Sequence, residues 1–238
     1  MDSEKNGTDD MPYHEKQHKE LCALHALNNL FQDKNPSDRF TKKDLDDICT
    51  KLSPDSFINP HRSFLGLGNY DVNVLMSAVQ KKGCETVWFD KRKSINSLVF
   101  DKIVGFILNI PTDYKLGFVR IPLHRKHWIT IRKLQGLYCN LDSKLESPET
   151  IGNEDEVKDF LKNQLEDINK ELLLVVHSEV SDSGSWRKDS IEYKQGMNTL
   201  IAGKTNIPKI LEMVQLFIYF NNIDNNNSHS NQLLKKAF

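Results

Sequence analysis

Two distant segments of the chain contain the residue types that thiol-based acyl transfer requires. Gln17 and Cys22 lie near the start, and His127 and Asp142 lie roughly a hundred residues further on. In such chemistry a cysteine attacks a carbonyl carbon and a histidine moves the proton, while a carboxylate orients the histidine and an amide stabilises the oxyanion. The fold must therefore bring the two segments together.

Cys22 is predicted to lie in the first turn of a buried helix. Good helix formers with apolar side chains follow it at three- and four-residue spacing, namely Ala23, Leu24, Ala26, Leu27 and Leu30. The free N–H groups and the positive dipole end of a first turn favour a thiolate, and a nearby imidazolium would favour it further. The alternative is that Cys22 fills the core as a small apolar residue.

Two neighbours of Cys22 in the sequence are candidates for the same site. Gln17 lies five positions upstream, so its side-chain N–H groups could share an oxyanion pocket with the backbone N–H of Cys22. The alternative is a surface glutamine.

His25, three positions after Cys22, is a local rival for the base. A base on the nucleophile's own helix usually cannot reach over the thiol, so we interpret His25 as a packed or hydrogen-bonded core histidine. A zinc half-site would need a second pair, and none with matching spacing follows.

The stretch 127–142 predicts a β-hairpin that turns at Gln135 and Gly136. If Leu134 pairs with Leu137, one face carries His127, Ile129, Ile131, Asn140 and Asp142, and the other carries Trp128, Thr130, Cys139 and Leu141. Asp142 is then diagonal to His127 and can fix its ring, whereas Asn140 lies too far along the ladder and Cys139 faces away. We interpret His127 as the base. The alternative is a partly buried aromatic corner at the start of a strand, and a three-residue turn would break this register.

The elements before the hairpin predict an α+β fold. Thr41 to Leu52 is an amphipathic helix with Thr41 as N-cap and Asp44 at its third position, which places Cys49 in the core. Asp71 to Lys82 predicts another helix, capped by Asp71 and stopped at Gly83. The Pro-, Gly-, Asn- and Ser-rich stretch Ser53 to Asn69 predicts an ordered functional loop. Strands are predicted at 84–89, 104–110 and 117–121, and Cys84 is interpreted as structural.

Composition narrows the classes of function. The chain has 238 residues, with 32 basic and 33 acidic side chains, so charge predicts neither a nucleic acid nor an anionic membrane as partner. The polar start MDSEKNGTDD has no apolar signal region, which predicts an intracellular, cytoplasmic protein with reduced thiols. The four cysteines form no C-x-x-C pair, which argues against a zinc ribbon or a redox dithiol.

The chain resembles the Josephin domain, the papain-like cysteine peptidase module of the ataxin-3 and Josephin deubiquitinases, and above all the short, stand-alone Josephin proteins. The resemblance rests on YHEKQ and LCALHALNNL around Cys22, on INPHRS and GNYDVNV, on HWITIR and YCNLDSKL around His127 and Asp142, and on GSWRKD. It runs from Met11 to Asp189 without large gaps. Several ordered motifs at fitting separations make it specific.

The resemblance implies a papain-like α+β fold with a helical lobe and an antiparallel sheet lobe. It implies Cys22 as nucleophile, His127 as base, Asp142 as orienting acid and Gln17 as oxyanion donor, in agreement with the assignments made from the residues. It further implies a ubiquitin hydrolase, acting on ubiquitin or polyubiquitin chains and ubiquitinated proteins without a metal or organic cofactor. The alternatives are a non-catalytic ubiquitin-binding module and a peptidase for another ubiquitin-like modifier.

The predicted domain organisation follows from this resemblance. Residues 1–10 are expected to form a disordered leader, residues 11–189 the Josephin-like catalytic domain, and residues 190–238 a divergent tail. Within the tail, residues 207–220 are apolar but too short to span a bilayer unaided, which predicts a docked helix or a partner-binding segment rather than membrane insertion. Residues 221–231 are rich in asparagine and are expected to be disordered.

Overall fold

An antiparallel sheet of six strands, in the order β1-β6-β2-β3-β4-β5, organises the fold. The strands are β1 (Cys84–Trp88), β2 (Ile103–Leu116), β3 (Val119–Leu134), β4 (Leu137–Asn140), β5 (Glu149–Gly152) and β6 (Glu171–His177). The computed structural model describes residues 12–63, 67–116 and 119–191. The predicted leader and both predicted tail segments lie outside these residues.

Five α-helices accompany the sheet in the described part of the chain: α1 (Cys22–Phe31), α2 (Lys42–Leu52), α3 (Val72–Lys81), α4 (Glu154–Leu165) and α5 (Ser178–Ser183). The predictions for α1, α2 and α3 are confirmed. The side chain of Thr41 accepts from the N–H of Asp44, and the side chain of Asp44 accepts from the N–H of Thr41. The carboxylate of Asp71 accepts from the first N–H groups of α3. Local capping chemistry therefore sets where α2 and α3 begin.

The predicted hairpin register is confirmed over the length of β4. Leu134 pairs with Leu137 and Ile131 pairs with Asn140. The turn has two residues, Gln135 and Gly136, both with positive φ (49° and 90°), as a tight turn matched to strand twist requires. The ladder ends at Asn140, so Asp142 lies just beyond the strand rather than within it.

The prediction of a separate strand at 117–121 is wrong, because β3 runs unbroken from Val119 to Leu134. The register between β2 and β3 shifts between Thr112 and Tyr114. His127 therefore lies inside a long strand and not at the start of one. No sequence prediction covers β5, β6, α4 or α5.

Apolar residues fill both faces of the central strands. Alternation is visible in β6, where Leu173 and Val175 join one cluster with α1, α2 and α3, while Leu172 and Leu174 join a second cluster with α4. The sheet is thus the middle layer of the first compact unit, with the Cys22 helix on one of its faces.

Two side chains of β3 and one side chain of α1 hold the helix in place. Thr130 Oγ1 donates to the carbonyl of Ala26 at 2.6 Å, and Arg132 donates to the carbonyl of Leu30. Asn29 Nδ2 donates to the carbonyl of Leu141 at 3.0 Å. Every residue of α1 from Cys22 to Leu30 is buried. The helix therefore has one fixed position against the strand that carries His127.

A first compact unit of the chain ends at Trp186 and a second begins at Arg187. In the first, the carbonyl of Trp186 accepts from the N–H of Val99 at 2.9 Å. In the second, Arg187 Nε donates to Ser190 Oγ at 3.2 Å. Among the described residues, no helix has both the length and the apolar character needed to cross a membrane.

Candidate active site

Cys22 is the first residue of α1, as the sequence predicted. In the part of the chain that the structure describes, no side chain caps this helix, since Leu21 stands at the N-cap position. The helix therefore presents its first N–H groups and its positive dipole end around the sulfur without a competing carboxylate cap. Cys22 is 6% exposed, so its reactive atom lies at the edge of the core.

His127 and Cys22 are brought together by the docking of α1 on β3. Their side chains are close enough for Cys22 to act on the pKa of His127, and His127 is only 3% exposed. Burial alone lowers the pKa of His127, but the interactions with Asp142 and with Cys22 outweigh burial and leave its pKa raised. The imidazole therefore tends to keep its proton, which suits an imidazolium beside a thiolate.

Asp142 orients the far side of the ring. His127 Nε2 donates to Asp142 Oδ1 at 2.6 Å, which leaves Nδ1 for the Cys22 side. Burial raises the pKa of Asp142, but the hydrogen bonds from His127 and from the N–H of Lys144 outweigh it and lower that pKa overall. The carboxylate is thus held ionised beside the imidazole, and this fixes both the tautomer and the angle of the ring.

Asn140 contacts the backbone of Asp142 and not its carboxylate. Asn140 Oδ1 accepts from the N–H of Asp142 at 3.1 Å, while Asn140 Nδ2 donates to Glu149 Oε2 at 3.2 Å. Within the part of the chain that the structure describes, Asn140 forms no hydrogen bond with His127, as the predicted register implies.

Gln17 lies in an irregular segment that runs beside the loop after β4. Its backbone N–H donates to the carbonyl of Ser143 at 2.6 Å, which joins the segment to the neighbour of Asp142. Its side-chain Nε2 donates to the carbonyl of Lys19 at 2.9 Å, and its Oε1 is buried without a hydrogen-bond partner. One of the two amide N–H groups is thus used locally, and the other is available to an oxyanion.

The other cysteines and His25 lie away from this chemistry, as the sequence predicted. Cys49, Cys84 and Cys139 are buried free thiols, and burial raises the pKa of each, to about 11 for Cys49. His25 is buried and bonded to Glu15 rather than to Cys22. Among the described residues, no group of three or more His, Cys, Asp or Glu side chains is placed to hold a metal ion.

An open pocket of about 410 Å³ adjoins the candidate site at Gln17. Gln17 lines it from one side and Ser143 from the other, and three lysines contribute to its wall, namely Lys16, Lys19 and Lys144. The pocket leads from the surface to the predicted oxyanion donor, so it is a candidate part of the substrate cleft.

Residues that the sequence analysis did not single out connect the two halves of the site. His14 Nε2 donates to the carbonyl of Asp142 at 3.0 Å, and Glu15 exchanges backbone hydrogen bonds with the side chain of Asn29. The signal was present in the sequence: two adjacent asparagines, Asn28 and Asn29, stand within an otherwise apolar helix, and buried amides require partners.

A thiol on the first turn of a core helix, placed beside a histidine of an antiparallel sheet, is the arrangement of papain-like cysteine peptidases. The present α+β fold is of that class, as the sequence analysis expected.

The chain belongs to the Josephin family, whose model matches residues 17–176. It is 48% identical to Josephin-2 of Mus musculus over 178 residues, which cover 75% of this chain and 93% of that protein. It is 50% identical to a Josephin-like protein of Drosophila melanogaster over 168 residues, 70% of this chain and 74% of that protein. The family resemblance found in the sequence is therefore confirmed.

A solved structure of Trichinella spiralis UCH37 bound to ubiquitin vinyl methyl ester is also similar, at a TM-score of 0.35 and 11% identity. The similarity covers 59% of this chain and 87% of that one. It is too low to support a conclusion about the site.

Proposed function

We propose that this chain is a deubiquitinase, a cysteine peptidase that hydrolyses the bond after the ubiquitin C-terminus through a thioester. The observation that supports the proposal most is that the hydrogen-bonded pair of His127 and Asp142 lies beside Cys22 in a member of the Josephin family. A series of this kind supplies a nucleophile, a proton carrier and an orienting group in one place.

The proposed reaction has two stages. His127 takes the proton of Cys22, and the thiolate attacks the carbonyl carbon at the ubiquitin C-terminus, forming a C–S bond. The free N–H of Gln17 Nε2 and the backbone N–H of Cys22 stabilise the resulting oxyanion.

When this intermediate collapses, the C–N bond breaks and His127 gives its proton to the departing amine. Water then attacks the thioester while His127 accepts a proton from it. This step releases the carboxyl group of ubiquitin and restores the thiol of Cys22.

An electrophilic probe at the C-terminus of ubiquitin tests the proposal. We expect the full chain to form a covalent adduct on Cys22, located by peptide mass spectrometry, and the adduct to disappear in Cys22→Ala. Cys84→Ala serves as the matched control, because it removes a different buried thiol and should leave labelling intact. Reversible ubiquitin binding without an adduct would instead support a non-catalytic module, and labelling by another ubiquitin-like probe alone would support a different modifier.

The loop 53–69 is proposed as part of the ubiquitin-binding surface. Phe57 is fully exposed and Ile58 is exposed beside it, which is unusual for apolar side chains that have no binding role. The end of the loop is fixed next to the nucleophile, because Gly68 bridges to Glu20. We expect Phe57→Ala to raise KM for a ubiquitin substrate about 3- to 30-fold while kcat changes little. An unchanged KM would remove Phe57 from the surface.

A further inference from the structure

The segment that carries Gln17 has no regular secondary structure, so something else must fix its position relative to Cys22. Two ring nitrogens of one buried histidine do this. His25 Nδ1 donates to Glu15 Oε2 at 2.7 Å, and His25 Nε2 accepts from the backbone N–H of His18 at 3.1 Å. Glu15 and His18 flank Gln17 on either side. His25 therefore holds the chain both before and after the oxyanion donor.

The same histidine lies on the helix of the nucleophile. His25 is three residues after Cys22 in α1 and is 7% exposed. Residues three apart are neighbours on a helix, so His25 and Cys22 lie side by side on α1. The groups that His25 binds are therefore fixed relative to the sulfur of Cys22. Movement of Gln17 relative to Cys22 would require breaking these partly buried hydrogen bonds.

The contact with His18 also bears on the orientation of the Gln17 amide. Lys19 follows His18 with a positive φ of 54°, and its carbonyl accepts from Gln17 Nε2 at 2.9 Å. The hydrogen bond between His25 and the N–H of His18 therefore helps to set where the Lys19 carbonyl lies. That carbonyl in turn sets the direction of the Gln17 N–H groups.

The partner of His25 is itself held ionised. Asn28 Nδ2 donates to both carboxylate oxygens of Glu15, at 3.0 and 3.2 Å, and Tyr13 Oη donates to Oε1 at 2.5 Å. Burial raises the pKa of Glu15, but the hydrogen bonds from His25, Tyr13 and Asn28 outweigh it and lower that pKa overall. An acceptor of this kind keeps the proton of His25 on Nδ1 and leaves Nε2 as the acceptor for His18.

We propose that His25 is a positioning residue that fixes the oxyanion donor Gln17 against the nucleophile-bearing turn of α1. The inference rests on the proposed function, since it concerns how the hydrolytic site is held together. His25 touches neither the substrate nor the thiol. It acts through Glu15 and His18 on the separation and orientation of Gln17 and Cys22.

A coupled kinetic experiment on the full chain tests this. We expect His25→Ala to lower kcat for a ubiquitin substrate about 10- to 100-fold with little change in KM, since loss of one oxyanion donor costs about 100- to 1,000-fold. In a Gln17→Ala background, the additional effect of His25→Ala should vanish, because the group that it positions is gone. If His25→Ala lowers kcat by the same factor in the wild-type chain and in Gln17→Ala, the inference is overturned.

A second readout separates positioning from general damage. The rate at which iodoacetamide alkylates Cys22 depends on the Cys22–His127 pair and not on an oxyanion, so it should stay within about twofold of wild type in His25→Ala. A parallel fall in alkylation and turnover would show a structural role only. If His25→Ala does not fold, Glu15→Gln gives the same comparison with a side chain of nearly the same size.

Two further variants complete the test. His25→Gln can still accept from the N–H of His18, so it should recover more turnover than His25→Asn, whose shorter amide cannot reach it. His177→Ala is the control for loss of a histidine, because His177 is exposed and contacts Cys84 on another strand, and we expect its turnover to be unchanged. If the wild-type chain hydrolyses no ubiquitin substrate, the proposed function fails. If it does and the coupling to Gln17 is absent, only the inference about His25 fails.

Discussion

At the scale of single residues, the fold places one well-held carboxylate behind the imidazole. Asp142 accepts from His127 Nε2 and from the N–H of Lys144, and its backbone is bonded to His14 and Asn140. The sequence supported the choice of Asp142 over Asn140 because the predicted register places Asp142 diagonal to His127, whereas Asn140, on the same face, lies too far along the ladder. It could not supply the contact with His14, since that residue is distant in the chain and irregular in structure.

The first prediction compares these two polar residues. Asp142→Ala should lower kcat/KM about 1,000- to 10,000-fold, because the ring of His127 loses both its orientation and its charge partner. Asn140→Ala should lower kcat/KM less than about tenfold, because it removes contacts to the backbone of Asp142 and to Glu149 rather than a contact to the ring of His127. Steady-state hydrolysis of a fluorogenic ubiquitin substrate measures both. Losses of similar size would mean that Asn140 orients the histidine as well.

The second prediction concerns how the pair of His127 and Asp142 contributes to the stability of the fold as a function of pH. The folded-state pKa of His127 is raised above its ordinary 6.5. The stability that protonated His127 contributes to the fold is therefore fully present below pH 6.5 and is lost as pH rises through the folded-state pKa. The folded-state pKa of Asp142 is lowered below its ordinary 3.8, so its contribution is full above that value and is lost as pH falls through the folded pKa. The pair therefore stabilises the fold most between about pH 4 and 6.5.

Urea unfolding of wild type and Asp142→Asn measures this contribution. The difference in unfolding free energy should reach about 1–3 kcal/mol between pH 4 and 6.5 and should shrink toward alkaline pH. Lys43→Ala, which removes an exposed partner of Asp47, is a suitable control and should show no such window. A difference that grows above pH 8 would contradict the assigned direction of the His127 shift.

At the scale of secondary structure, local signals predicted the helices better than the strands. The capping residues Thr41 and Asp71 mark α2 and α3, and the structure begins both helices where these residues indicate. A similar signal, Asn153 followed three residues later by Glu156, marks α4 and was overlooked. The run Leu172–Val176 in β6 is apolar throughout, because both faces of the strand are buried. Its sequence therefore lacks the alternation of apolar and polar residues by which a strand is recognised.

The third prediction concerns the approach of the loop 53–69 to Cys22. Gly68 has a φ of 118°, and a Cβ there would lie 2.4 Å from the carbonyl oxygen of Glu20 and 2.9 Å from Leu21 Cδ2. Gly68→Ala should therefore displace the backbone just before Cys22, lower turnover at least tenfold and destabilise the fold by about 2 kcal/mol or more.

Gly83→Ala is the matched control for this change. Gly83 also has a positive φ, of 68°, but a Cβ there would meet no atom within 4 Å. The Gly83→Ala variant should destabilise the fold by about 1 kcal/mol and leave turnover unchanged. Thermal unfolding and hydrolysis assays on both variants make the comparison. Full activity in Gly68→Ala would show that the loop is not tied to the site.

At the scale of the whole molecule, the two faces of the sheet have different relations to the site. Cys22 belongs to the cluster of α1, α2 and α3, whereas α4 packs on the second cluster. The α+β class and the helix-then-sheet order could be predicted from changes in periodicity. The position of β6 between β1 and β2 could not, because pairing between strands distant in sequence has no local signal.

The fourth prediction compares one deletion on each face. Leu27 and Leu161 are fully buried, in the first and second cluster respectively. Leu27→Ala and Leu161→Ala should each destabilise the fold by about 2–5 kcal/mol. At a temperature where both remain folded, only Leu27→Ala should slow alkylation of Cys22, since α1 carries both residues. Equal slowing in the two variants would indicate that the site responds to global stability alone.

The place of β6 in the sheet has a consequence for biosynthesis. Residues 171–177 lie between β1 and β2, so the ribosome must release most of the chain before the central strands find all their neighbours. The sulfur emerges early, the imidazole roughly a hundred residues later, and the strand that completes the middle of the sheet later still. A nascent chain therefore exposes the thiol of Cys22 well before the sheet that holds the candidate site can be complete, because that sheet needs residues up to His177.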